Sequence, residues 1–148
     1  MATREQAVQA LFDVLKTSAE FKVASRRNQN PEGLDPATET PALFLIESND
    51  HWDRSQGGYN MLPKREMRLL AIIYTAIAPT DINSIPSSFI NDTLDAIEAL
   101  FAPDNLMTDT FTLGGLVQAC LLDGKSQRSP GDITGKALAI VPIRILFP

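Results

Sequence analysis

The stretch over residues 86–102 constrains the fold most, because it is amphipathic and bounded by prolines. Its apolar residues recur at helical spacing: Ile90, Leu94, Ile97 and Phe101. The opposite side is acidic and includes Asp92 and Asp95. Pro86 suits a first helical position, where its missing N–H would have no partner, and Pro103 cannot continue a helix. The pattern therefore predicts a helix that buries one side against the rest of the domain.

The length of the chain, 148 residues, predicts one domain over residues 1–148 with its own apolar core. The longest uninterrupted apolar run, residues 69–74, is too short to cross a bilayer, so we expect no membrane partner. The first eight residues carry charges of both signs and no apolar run. We therefore expect no signal peptide and synthesis in the cytoplasm.

Composition argues against several classes of site. The single cysteine, Cys120, has no partner for an internal disulfide, and the single histidine, His51, cannot form a nitrogen-rich metal site alone. We expect Cys120 to be a buried apolar residue, and we expect no metal and no cofactor. The net charge of −5 argues against a protein that grips nucleic acid through phosphates, since that binding depends on Lys and Arg.

Periodicity and turn signals predict the remaining elements. Thr3 and Gln6 fit a capping box that starts a helix over residues 4–18. Runs rich in β-branched and apolar residues predict strands over residues 21–27, 42–47, 64–78, 116–122 and 137–147. Pro142 is expected at a sheet edge or a bulge. The expected fold class is α+β, a single domain with a mixed, mostly antiparallel sheet of about five strands and two helices packed on one face.

Two polar stretches, residues 48–63 and 124–135, are predicted to be loops. The first contains Trp52, Arg54 and Tyr59, and such residues are enriched at protein interfaces. Trp52 could equally cover the edge of the sheet. The neighbouring His51 and Asp53 suggest acid–base chemistry, but no nucleophile is marked nearby. We therefore expect no enzyme activity from this loop.

Charge is unevenly distributed along the chain. Residues 69–124 contain seven acids and no Lys or Arg, whereas residues 125–148 contain four basic residues and one acid. One interpretation is that both segments form solvent-exposed charged surfaces. Acidic residues spaced along a helix usually lie on such a solvated face. The other is complementary surfaces that meet between copies of the protein, with Asp92 and Asp95 on one and Lys125 and Arg128 on the other.

The second half of the chain resembles the tail-terminator, or minor tail protein U, family of long-tailed bacteriophages. The resemblance covers roughly residues 91–148 and depends on three segments in order: FINDTLDAIEALFAPDN, TLGGLVQACLLDG and the closing AIVPIRILFP. The first half agrees in outline, through the opening helix and the strand PALFLIE.

The resemblance implies a non-catalytic virion protein of the phage tail, which forms a ring, expected to be a hexamer, on the last ring of the tail tube. The ring would stop growth of the tube and present a surface for head attachment. Its partners would be itself, the major tail tube protein and a head-completion or neck protein, with DNA passing through the ring without specific binding. Two alternatives stay open: a phage head-completion or neck protein, and a small cytoplasmic ligand-binding or enzymatic α+β domain.

Overall fold

The computed structural model of the protein describes residues 2–30, 33–36, 38–54, 64–76, 85–129 and 136–148. These residues form two helices and six strands. The elements in chain order are α1 (Arg4–Leu15), β1 (Val23–Ser25), β2 (Ala42–Asp53), β3 (Lys64–Ala76), α2 (Pro86–Leu100), β4 (Ala119–Leu122), β5 (Gln127–Ser129) and β6 (Lys136–Leu146). The strands make one sheet in the order β1-β2-β3-β6-β4, with β5 also paired to β6. Only β1 and β2 are parallel, so the predicted mixed, mostly antiparallel α+β fold is confirmed.

Both helices pack on one face of the sheet. Their apolar sides meet residues that alternate along the three central strands: Leu43 and Leu45 of β2, Leu69 and Ile73 of β3, and Ile143 and Ile145 of β6. The opposite face carries a smaller cluster around Phe44, Ile72 and Tyr74, which is covered in part by Leu34. The central strands are therefore apolar on both faces, as the run in residues 42–47 predicted.

Helix α1 begins with the predicted capping box. The Thr3 side chain accepts a hydrogen bond from the Gln6 N–H at 3.2 Å, and Gln6 Oε1 accepts one from the Thr3 N–H at 2.9 Å. The helix ends at Leu15, three residues before the predicted end. The hydroxyl groups of Thr17 and Ser18 donate to backbone carbonyls of the last turn, which favours a turn over continued helix.

Helix α2 has Pro86 in its first turn, as predicted. Ile90 and Ile97 are buried, while Leu94 and Phe101 are half-buried against the core. Thr93 is also buried, and its hydroxyl donates to the Phe89 carbonyl at 2.8 Å. This bond satisfies the only hydroxyl on the buried side of the described helix, so Thr93 is tolerated there.

The prediction of a loop over residues 48–63 is wrong for residues 48–53, which continue β2 and pair with the start of β3. Most of this extension is exposed, and its side chains are polar. An exposed hairpin forms through backbone pairing, so the strand leaves no apolar pattern in the sequence from which it could be predicted. A register shift between Glu47 and Asn49 marks a β-bulge. The bulge moves Asp50 and Trp52, rather than Asn49 and His51, to the face that carries the helices.

A second correction concerns residues 124–135, which were predicted to be a loop. Residues 127–129 form β5, a short strand on the edge of β6 beside β4. Its sequence is polar, so nothing in its composition predicted a strand. Pro142 faces the interval between β4 and β5, where the Asp123 N–H donates to the Pro142 carbonyl at 3.2 Å. Because no strand partner lies opposite it on that side, Pro142 occupies a locally unpaired edge.

Candidate assembly surface

No grouping of three or more His, Cys, Asp or Glu side chains suited to a metal ion occurs among the described residues. Within the same residues, neither helix is long and apolar enough to cross a membrane. His51 is exposed on β2. Cys120 is 1% exposed, and burial raises the pKa of its thiol to about 12. Cys120 is therefore a protonated, buried thiol and a poor nucleophile.

Trp52 is held on the surface by the start of α1. Its side chain is 55% exposed, and the Arg4 guanidinium carbon lies 5.6 Å from the ring centroid. Arg4 also contacts Asp50, with 3.3 Å between Nε and Oδ1, and lies 5.9 Å from the Phe147 ring. The bulge in β2 makes this arrangement possible, because it puts Trp52 and Asp50 on the same side as α1. An aromatic ring held in this way is oriented for contact without being buried.

The other residues of the predicted contact loop are less defined. Arg54 follows the end of β2 and is exposed. Tyr59 lies outside the described residues. The structure therefore places Trp52 on a strand rather than in a loop and leaves the contact roles of all three residues as predictions.

The predicted acidic and basic surfaces meet partly within one subunit. Arg128 of β5 donates to the side-chain oxygen of Asn91 on α2 at 2.6 Å, and Asn91 directly precedes Asp92. Asp92 and Asp95 are exposed on α2, and Lys125 is exposed between β4 and β5. The structure brings Arg128 next to α2, so the two sets of charges lie side by side on this part of the surface.

A charged cluster that the sequence did not indicate joins β3, β6 and the end of β4. The Arg68 Nε lies 2.9 Å from Glu66 Oε1, and the Arg144 Nε lies 3.2 Å from Asp123 Oδ2. The second contact is an ion pair without hydrogen-bond alignment, since the buried Arg144 Nε has no hydrogen-bond partner. Asp123 belongs to the acidic segment, residues 69–124, and Arg144 to the basic one, residues 125–148. This ion pair therefore joins the two segments within one subunit. The cluster contains two positive and two negative side chains, so its charges balance. Its ion pairs link β3 to β6 and to the end of β4.

The most exposed apolar side chains of the described residues were also missed. Leu106 and Met107 are 90% and 96% exposed and lie at the tip of a turn over residues 104–110, which we call the apolar turn. A β-bridge between Asn105 and Thr110 closes the turn, and the Asn105 side chain accepts a hydrogen bond from the Met107 N–H at 3.1 Å. The sequence signal was PDNLMTDT, in which turn-forming Asp and Asn flank two apolar residues.

Asp104 anchors the apolar turn to the segment that follows it. Its carboxylate accepts hydrogen bonds from the Thr112 N–H and the Thr112 hydroxyl, both at 2.7 Å, and from the Gly114 N–H at 2.9 Å. Burial works to raise the pKa of Asp104, but the bonds from Gly114 and Thr112 outweigh it and lower that pKa. Leu113 and Gly114 have φ values of 53° and 71°, which explains why a glycine lies in this tight connection.

An apolar groove lies at the other end of α2, and we call it the α2–β5 groove. Its volume is about 280 Å³, and its lining consists of Pro86, Ser87, Ile90, Arg128, Ser129 and Ala137. The groove is open to solvent and contains one charged side chain, Arg128, among its described lining residues. It therefore suits an apolar group with an acidic neighbour better than a polar substrate.

Comparison with known proteins adds no identity: no protein-family model matches the chain, and no curated protein matches its sequence.

Proposed function

We propose that this protein is a structural tail protein of a long-tailed bacteriophage that caps the tail tube as a ring. The ring ends tube growth and provides the surface to which the head attaches. The resemblance of residues 91–148 to the tail-terminator family supplies the class of protein. The α+β fold supports it, and so does the presence of large side chains exposed on rigid parts of the surface.

The single observation that carries an assembly role is the setting of Trp52. A tryptophan that only covered the sheet edge would be largely buried, but this ring is 55% exposed. Arg4, which is paired with Asp50, lies over the ring and favours one orientation before any partner arrives, so less side-chain entropy is lost when a contact forms. Tryptophan and arginine are the residues that most often dominate the free energy of protein contacts.

The proposed partners follow from the same role. The protein binds copies of itself in a hexameric ring, the major tail tube protein on one side, and a head-completion or neck protein on the other. It is a component of the virion tail, made in the host cytoplasm, and not an enzyme. DNA passes through the ring without specific binding, and the net charge of −5 disfavours adhesion of the phosphate backbone.

The test compares Trp52→Ala and Arg54→Ala with the parent protein. Each variant is first checked for unchanged thermal stability, then assayed for ring formation by native mass measurement and for tails of normal length. Loss of a contact hot spot costs about 2 kcal/mol, which corresponds to roughly 30-fold weaker association. His51→Ala is the matched control, because His51 is also exposed on β2 but lies on the opposite face.

Two results would count against the proposal. If both variants fold, form rings and give tails of normal length, the contact is not at the end of β2. If the parent protein is a dimer whose mass stays constant as concentration rises, with and without tail tubes, the ring itself is wrong.

A further inference from the structure

The apolar turn presents Leu106 and Met107 to solvent in a fixed position. The turn is closed by the bridge between Asn105 and Thr110 and anchored by the three hydrogen bonds to Asp104. These two adjacent large apolar side chains are at least 90% exposed, so they bury almost no surface against the described residues. Their burial in a contact would therefore be gained without disturbing the core.

The α2–β5 groove can receive these side chains. An apolar cavity of about 150 Å³ holds a benzene-sized molecule. At about 280 Å³, the groove accommodates one of the two side chains fully and part of the second. Ile90 and Ala137, each 2% exposed, form the floor of the groove, and the half-buried Pro86 supplies accessible apolar surface beside them. The contact would therefore bury the two side chains of the apolar turn and part of Pro86.

Charge around the two features is complementary. Asp109 follows Met107 by two residues and is exposed on the apolar turn. Arg128 lines the groove, and its described hydrogen bond ends on the uncharged amide oxygen of Asn91, which leaves its positive charge available. An insertion of Met107 into the groove would bring a carboxylate towards this guanidinium, which favours one orientation of the contact.

The two features lie near opposite ends of α2. The groove is formed by the first turn of α2, whereas the apolar turn follows its end, where Phe101 and Phe111 pack with ring centroids 5.3 Å apart. Because α2 has 15 residues and rises about 1.5 Å per residue, this separation is about 22 Å. Two different complementary patches on one chain allow a head-to-tail contact, and when the contact is not reciprocated within a pair it builds rings or open chains.

We infer that Leu106 and Met107 of one subunit insert into the α2–β5 groove of a second copy of this chain, with Asp109 facing Arg128. This inference rests on the proposed function, because it names the contact from which the ring is built. The apolar turn and the groove are used once each per subunit, so every copy in a ring is both a donor and an acceptor.

A mixing experiment tests the inference in solution. One variant carries Leu106→Ser and Met107→Ser, and a second carries Ser87→Trp, which fills the groove. Sedimentation equilibrium should show self-association at least about 30-fold weaker for each variant alone. An equimolar mixture should form a 1:1 dimer and nothing larger, since only one intact apolar turn and one intact groove can meet. Thr108→Ser, in the same turn with its hydroxyl retained, should associate like the parent.

Disulfide trapping tests the same contact where association is weak. A chain with both Met107→Cys and Ser87→Cys should give a ladder of linked oligomers on oxidation, whereas either single variant should stay largely unlinked, because its new cysteine would face no second thiol in this contact. The native Cys120 is 1% exposed and does not form competing disulfides. A double variant that gives no more linked product than the two single variants overturns the inference.

The outcomes separate this inference from the proposed function. If the parent forms closed rings and both surface variants do so equally well, the contact is wrong and the ring stands. If the ladder forms but native masses grow without limit, the contact stands and the closed ring is wrong. If the Leu106 and Met107 substitutions leave self-association unchanged and abolish only binding to tail tubes, the apolar turn docks on another protein and the inference is overturned.

Discussion

Replacement of Asp104 by Asn would test how the apolar turn is held. One carboxylate oxygen accepts both hydrogen bonds from Thr112, and the other accepts the bond from the Gly114 N–H. Asparagine keeps one oxygen acceptor, but its amide nitrogen would face the Gly114 N–H as a second donor. The variant therefore loses one hydrogen bond outright and loses the charge that strengthens the other two.

The size of the effect follows from these three bonds. A hydrogen bond to a charged group contributes about 1.5–3 kcal/mol, against about 0.5–1.5 kcal/mol for a neutral one. Asp104 is exposed, so solvent screening reduces the difference, and we expect the free energy of unfolding at neutral pH to fall by about 1–2 kcal/mol. Asp109→Asn is the matched control in the same turn. Its φ of 54° suits asparagine, so its effect should stay within about 0.5 kcal/mol.

The dependence on pH provides a second measurement. The pKa of Asp104 in the folded protein is lowered from its ordinary value of 3.8. The carboxylate therefore stabilises the fold above that value, and this contribution is lost as pH falls through the folded pKa. Urea unfolding followed by circular dichroism should show a clear difference between parent and Asp104→Asn at about pH 7 and a much smaller one at about pH 2.5. An equal difference at both pH values, or one no larger than that of Asp109→Asn, would refute this account of the turn.

Three further predictions concern the core, the thiol and a glycine. Ile97→Ala should lower the free energy of unfolding by about 2–5 kcal/mol in urea titrations, because Ile97 is 1% exposed in the main core; a loss below about 1 kcal/mol would contradict this burial. Cys120 should react with a thiol reagent only as fast as the protein unfolds, since burial raises its pKa to about 12, and rapid labelling of folded protein would be inconsistent with that. Gly124→Ala should destabilise by about 1–3 kcal/mol, because φ is +125° and the added Cβ would lie 3.1 Å from Pro142 Cγ. Gly33→Ala, with no atom within 4 Å of the added Cβ, should be neutral or slightly stabilising, and thermal unfolding of both glycine variants measures the difference.

Sequence predicted the parts of the fold whose side chains face an apolar environment. Both helices were predicted because their buried residues recur with the helical period, and strand β3 because its buried centre is rich in β-branched and apolar residues. The exposed end of β2 and the short β5 were not predicted. These segments are held by backbone pairing, which leaves no apolar pattern in the sequence. Strand formation in such segments depends on the partner strand, which a local pattern does not reveal.

The candidate surfaces were predictable only in part. The composition of residues 48–63 drew attention to Trp52, whose contact role stays a prediction. The position of its side chain depends on Arg4, which is distant in sequence, and on a bulge that changes which residues share a face. The exposure of Leu106 and Met107 was not predicted, since two apolar residues in a short polar segment look the same whether they are buried or exposed. Their exposure is a property of how Asp104 and Asn105 close the turn.

The central position of β6 has a consequence for folding. This strand comes last among the described strands, yet β3, β4 and β5 all pair with it. During synthesis, β3 would expose an unpaired apolar edge from the time it emerges until Lys136 and the residues after it follow. Pairs such as Leu69 with Ile143 are also distant in sequence, so the rate of folding should be limited by closure of long loops. Shielding of the β3 edge until β6 has emerged should therefore reduce misassembly during synthesis.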